Sequence, residues 1–187
     1  MIKAYFFDWM GTLGQASAAS GILKRFGRGY HDELLTNKFE TANIAEDYRE
    51  EIRFMLQDAT HWLYSESQKI ISELRSEHKL AIISNIYDIS AKKIRESFPN
   101  FLDNFDVITF SSDIGLKKPD PKIFTYTLNI LNRVYNTNIL PKEVVMVGDK
   151  QDKDIDPPIS LGMNAILINR NNGSTLEDVI KLENQLR

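Results

Sequence analysis

The sequence predicts an α/β protein: a doubly wound, Rossmann-like parallel sheet with a small all-helical cap inserted after the first strand. Three observations lead there. Short, near-continuous apolar runs at Ile2–Phe7, Leu80–Ile83, Val107–Phe110, Val144–Val147 and Ala165–Ile168 read as strands covered on both faces. From about residue 66 onward these runs alternate with helical patterns, the order that builds a parallel sheet. Residues 15–65 break the alternation with helical periodicity alone.

The first run ends at Asp8, and Trp9-Met10-Gly11-Thr12-Leu13 turns away from it. That places a carboxylate at the carboxyl edge of a buried strand, where open α/β sheets hold their ligands. In the next segment Ile44, Tyr48, Ile52 and Leu56 form one helical stripe, leaving Glu46, Arg49, Glu50 and Arg53 for solvent. Gly14, Gly21, Gly27 and Gly29 allow turns between helices, and no strand is expected there. The division is therefore 1–14 and 66–187 as core and 15–65 as a helical lid over the edge that carries Asp8. Ile70, Ile71 and Leu74 then mark a helix ahead of the second core strand. Asp88 is expected to cap a helix that buries Ala91, Ile94 and Phe98 and stops at Pro99. Asp120-Pro121 opens a further helix with Phe124, Leu128 and Leu131 inward. Ser174 and Glu177 have capping-box spacing before a last short helix.

Composition narrows the function classes. A chain of 187 residues with 42% hydrophobic and 26% charged side chains can bury one sizeable core and a modest insertion. Its net charge of −3 gives no electrostatic case for binding nucleic acid or an anionic membrane. Without cysteine there can be neither disulfides nor thiolate metal sites. No apolar span reaches the roughly 18 residues of a membrane helix and no leader pattern precedes the first strand, so a cytoplasmic protein is expected. Monomer and homodimer both remain open.

Four sequence-distant pieces end a strand or open the following loop: Asp8, Ser84-Asn85, Lys117-Lys118-Pro119-Asp120-Pro121, and Gly148-Asp149 with Asp154 behind it. A serine hydroxyl beside free backbone N–H groups can hold an anion. A lysine ahead of a proline-fixed helix start can hold its ammonium over a site. Gly148 permits a sharp turn that exposes Asp149. Clustered carboxylates without nearby Cys or His suit a hard cation such as Mg²⁺. Asp152 and Asp156 read as solvated capping acids. His31, His61 and His78 lack metal-ligand spacing, and His78 is expected at the surface. Trp62, Leu63 and Tyr64 are expected to pack the lid onto the core, with a substrate-facing Trp62 as the alternative. Trp9 is placed either in the pocket or in core packing.

In this order and spacing the four pieces resemble the motifs of the haloacid dehalogenase superfamily, and residues 15–65 resemble the small cap of one of its subclasses. Asp8-Trp9-Met10-Gly11-Thr12-Leu13 looks like the first motif, Ser84 the second, Lys118-Pro119-Asp120-Pro121-Lys122-Ile123-Phe124 the third, and Gly148-Asp149…Asp154 the fourth. The resemblance implies a Mg²⁺-dependent phosphatase of a small phosphorylated metabolite. Asp8 would be phosphorylated and then hydrolysed. Asp8, the Met10 backbone carbonyl, Asp149 and Asp154 would hold the metal, and Lys118 and Ser84 the phosphoryl oxygens, with Asn85 and Trp9 lining the substrate site.

One position departs from that pattern. Family phosphatases carry a second Asp two residues after the nucleophile, and here it is Met10, which cannot move a proton. General acid–base catalysis is worth about 10²–10⁴-fold, so alkyl esters should react slowly and good leaving groups suffer less. Two branches that lack the second Asp offer alternatives. Asp8-Trp9-Met10-Gly11-Thr12 also resembles the phosphonate hydrolases, whose cap lysine Lys24 or Lys38 would have to supply. Dehalogenases need no metal, and Gly148-Asp149 argues against them. A further alternative is a catalytically weak protein that binds a phospho-ligand or a protein partner.

Overall fold

The computed structural model describes residues 1–17 and 25–186; Gly21 and Lys24 lie outside them. Five parallel strands, β1 (Ala4–Phe7), β4 (Lys79–Ser84), β5 (Val107–Phe110), β6 (Val144–Gly148) and β7 (Asn164–Leu167), form one sheet in the order β5-β4-β1-β6-β7. Helices 67–75, 88–97, 122–135 and 177–186 cover its faces. The order reverses at β1, which pairs with β4 on one side and β6 on the other; Phe7 sits level with Ile82 and Val147. The chain winds from β1 through β4 to β5 on one side, then crosses back to β6 and β7 on the other, so the loops after β1, β4 and β6 border a crevice at their carboxyl ends.

Both faces of β1 are dry, as its unbroken apolar run requires. Tyr5 and Phe7 join Leu80, Ile82, Val145 and Val147 in the core layer beneath helices 67–75 and 88–97. Ala4 and Phe6 point the other way, into the layer formed with Ile83, Met146, Phe124 and Leu128. Burying each large side chain is worth about 1.5–3 kcal/mol, enough to hold the strand ends beside it in fixed register.

The inserted segment contains helices 28–36 and 46–58, with Leu34, Leu35, Phe39, Ile52 and Leu56 packed together and against Tyr87 of the core. At its base lies a ribbon that sequence reading did not expect: β2 (Gly14–Ala16) pairs antiparallel with β3 (His61–Leu63), Gln15 opposite Trp62. Strands of three residues are too short to show a period, so only the pairing reveals them. Trp62 is 44% exposed and does not pack the lid inward. Asp88 is no cap either; it sits inside its helix and accepts the Phe39 backbone N–H at 3.0 Å, tying the insertion to the core. At the last helix the capping pair falls one residue later than expected, with Thr175 N–H donating to Asp178 and Thr175 Oγ1 accepting from Glu177 N–H. His78, expected at the surface, is buried beside Tyr5 with Nε2 3.2 Å from Glu183.

Candidate active site

Three strand tips and one loop converge in the crevice. Asp8 follows β1 directly, and its backbone N–H donates to Val147 O at 2.9 Å, which locks it against β6. Behind it the chain folds into a tight turn: Leu13 and Gly14 donate to Trp9 O, and Gly11 N–H donates to Gly14 O. Gly11 adopts φ +81°, and a Cβ there would sit 2.4 Å from Asp149 Oδ2. A Cβ on Gly148 would fall 2.2 Å from Cβ of Asp154. Both glycines are thus required for close approach of the acids, beyond any need for a flexible turn.

Lys118 is the centre of the cluster. Its ammonium donates to Asp8 Oδ1 at 2.7 Å and Asp154 Oδ1 at 2.5 Å, and the side chain is only 3% exposed. Asp154 Oδ2 accepts the Lys150 backbone N–H at 2.9 Å, and Asp149 Oδ2 accepts the exposed Lys150 ammonium at 2.7 Å. Carboxylate oxygens of Asp8, Asp149 and Asp154 lie within 4.8 Å of one another. Burial is the main influence on Asp8 and pushes its carboxyl up to about 7; Lys118 pulls it down, while Asp154 and Asp149 push it up. Burial disfavours the Lys118 ammonium, but Asp8 and Asp154 outweigh it and hold the group above the ordinary lysine range. Three oxygen-bearing acids with no sulfur or imidazole among them fit a hard divalent cation.

Ser84, at the end of β4, is buried and its Oγ has no hydrogen-bond partner among the described residues. A hydroxyl left unpaired beside a charged crevice is what a bound oxyanion would satisfy. Asn85 borders the cleft between the insertion and the core, and its amide donates to Lys118 O at 2.7 Å and accepts Lys118 N–H at 2.8 Å, clamping the lysine's backbone from both sides. Trp9 turns away from the crevice into the core, its ring 5.7 Å from that of Phe98 and 6.0 Å from that of Phe101. It is wholly buried and presents no surface to a ligand. The side chain of Met10 instead lines a small cavity between the insertion and the core. Lys38 pairs with Asp113 at 2.6 Å, an exposed ion pair away from the acids.

Sequence reading missed Arg170, just beyond β7. It donates to Gly11 O at 3.0 Å and Thr12 O at 2.7 Å, pairs with Glu66 at 2.8 Å and lies over the Tyr64 ring. The planar fork therefore pins the turn behind Asp8. Its one sequence signal was position, a cation immediately after a strand end.

A family model for haloacid dehalogenase-like hydrolases matches residues 2–162. The chain is 23% identical over 183 residues to a phosphoserine phosphatase of Thermus thermophilus, covering 90% of this chain and 70% of that one. It is 35% identical over 118 residues to a glyceraldehyde 3-phosphate phosphatase of Methanocaldococcus jannaschii; the match covers 62% of this chain but only 48% of the relative. A solved HAD phosphatase of Thermococcus onnurineus shares the fold at TM-score 0.66 and 24% identity, with 97% of each chain covered.

Proposed function

The chain belongs to the haloacid dehalogenase-like hydrolase family, and from that premise we propose a Mg²⁺-dependent phosphatase that works on a small phosphorylated metabolite through an aspartyl-phosphate at Asp8. One observation carries the reading: a buried ammonium, Lys118, bonded at once to Asp8 and Asp154 with Asp149 alongside.

In the first half-reaction a carboxylate oxygen of Asp8 attacks phosphorus and the bond to the leaving oxygen breaks. In the second, water attacks the same phosphorus, the Asp8–phosphorus bond breaks, the Asp8 carboxylate is regenerated, and inorganic phosphate leaves with both of the water's protons. Lys118 and Ser84 hold the phosphoryl oxygens as charge shifts onto them. The turn at 9–14, pinned by Arg170, keeps Asp8 on line. Asn85 acts on the substrate indirectly, by positioning Lys118. Asp8, Asp149 and the Met10 backbone carbonyl would hold Mg²⁺, with Asp154 completing the set, and the ion would supply charge neutralisation between carboxylate and phosphate. Once Asp8 is ionised, two ammoniums, Lys118 and Lys150, face three carboxylates and leave one negative charge for a cation to neutralise. Helices 28–36 and 46–58, in the segment 15–65, serve as the lid that excludes water. Met10 leaves the leaving group without a proton donor, which restricts good turnover to leaving groups that need none.

The test is phosphate release with Mg²⁺ across small phosphate esters and acyl phosphates, compared with Asp8→Asn. Release that disappears in the variant supports the enzyme. Mg²⁺-dependent binding of phosphorylated ligands without turnover would favour a phospho-ligand-binding protein instead.

A further inference from the structure

We infer that the preferred substrate is a short-chain acyl phosphate, one whose leaving group is compact, carries no charge of its own before cleavage and presents a carbonyl oxygen. This rests on the phosphatase reading and deepens it. The observation is the cavity beside Met10, about 60 Å³, whose apolar walls include Met10, Leu35, Leu56 and Ile86 and whose polar side is made by His31 and His61 with Asn85, Tyr87 and Ser90. No carboxylate, ammonium or guanidinium of the described residues lines it.

Size comes first. One water-sized group needs roughly 10–15 Å³ of such space, so the cavity admits about four to six. A two- to four-carbon acyl chain fits that space, whereas a nitrophenyl ring or a nucleoside does not. Charge follows. A leaving group that brings an ammonium would be buried beside walls that hold no carboxylate among the described residues, at a cost that neither Leu35 nor Leu56 can offset.

Polarity selects within what remains. The Nδ1 of His31 is bonded to the Tyr87 hydroxyl and is spent there. Both ring nitrogens of His61 are buried and unpartnered among the described residues. Burial holds that imidazole neutral, its pKa down to about 4. A neutral imidazole offers one N–H donor and one acceptor, so it matches a carbonyl oxygen. The leaving group of an acyl phosphate is a carboxylate, and it departs without a proton. Cleavage breaks the phosphorus–oxygen bond and leaves the electron pair on the acyl oxygen, with His61 N–H as donor to the product. Met10, otherwise a missing acid, is then a wall of the right chemistry.

The experiment compares kcat/KM for acetyl and butyryl phosphate with p-nitrophenyl phosphate (a good leaving group that is too large), glycerol 1-phosphate (small but needing an acid) and β-aspartyl phosphate (acyl but charged). Acyl phosphates should exceed each of the others by at least about tenfold, a factor of one hydrogen bond or more. In His61→Leu the preference for acetyl over p-nitrophenyl phosphate should fall about tenfold, and His61→Gln should restore much of it. Binding of acetylphosphonate by calorimetry should weaken in His61→Leu in parallel, with thermal melts reporting whether the variant is folded. A preference for p-nitrophenyl or β-aspartyl phosphate, lost in Asp8→Asn, overturns the inference while leaving a phosphatase. No release from any of them, acetyl phosphate included, overturns both.

Discussion

Replacing Lys118 with methionine removes the buried cation that bonds Asp8 and Asp154 while nearly preserving side-chain volume. The ammonium bonds to the two carboxylates at 2.7 Å and 2.5 Å, and all three groups are buried. Breaking a buried pair by deleting one partner ordinarily costs about 3–5 kcal/mol, because a charge is stranded. Here relief is built in. The Asp8 carboxyl already stands at about 7 with Lys118 present, so without it Asp8 holds a proton at neutral pH. Asp154 keeps one partner, the Lys150 backbone N–H at 2.9 Å.

The loss in metal-free buffer should therefore be about 1–2 kcal/mol at pH 5.5 and nearer 3 kcal/mol at pH 8. The sign follows from proton counting. A carboxyl whose folded pKa lies above its unfolded value of 3.8 keeps its proton in the folded state over a window where the unfolded chain has lost it. Folding then takes up a proton, and stability falls as pH rises through that window. Urea denaturation at both pH values, with EDTA and with Mg²⁺, measures this; the ion should return more stability to the variant than to the parent. A variant within about 0.5 kcal/mol of the parent at pH 8, or one that gains stability with rising pH, would refute the account of Lys118 as the compensating charge.

Met10→Asp should raise turnover of alkyl phosphates by about 10²-fold, the lower end of general acid catalysis, and acyl phosphates far less. The backbone bonds of its turn do not involve the side chain, and flat or falling rates on alkyl esters would count against the reading of this position. Gly11→Ala places a Cβ 2.4 Å from Asp149 Oδ2 at φ +81°. It should cost about 1–2 kcal/mol in stability from the left-handed backbone alone and weaken Mg²⁺ binding measured by calorimetry. In the parent, that Mg²⁺ affinity should tighten by up to about tenfold per pH unit below pH 7 and level off above it, because metal binding must expel the Asp8 proton. Arg170→Ala frees the Gly11 and Thr12 carbonyls and should lower kcat about tenfold, with Arg170→Lys failing to restore it because an ammonium cannot span both acceptors.

The strands were legible because β1, β4, β5 and β6 are buried on both faces and had to be written in apolar residues. Asp8, Ser84 and Asp149 were legible by their place at strand ends, Lys118 and Asp154 by their place in the segments that follow strands, and the fold brings Asp8, Lys118, Asp149 and Asp154 to one point. Other features had no such signature. The β2–β3 ribbon is three residues long on each side and exists only as a pairing. Trp9 could equally have lined the crevice; packing against Phe98 and Phe101 decided otherwise.

Composition and pattern alone thus determined a doubly wound sheet with acids and a lysine in the segments that follow its strands, since periodicity and residue chemistry are local properties. Tertiary structure alone decided that Asn85 clamps the backbone of Lys118, that Arg170 reaches back to the turn behind Asp8, and that His61 lines a cavity with no charged group among its described walls. Those outcomes depend on which distant segments meet, and hydrogen bonds between residues 33 or 159 positions apart leave no trace in the spacing of either partner.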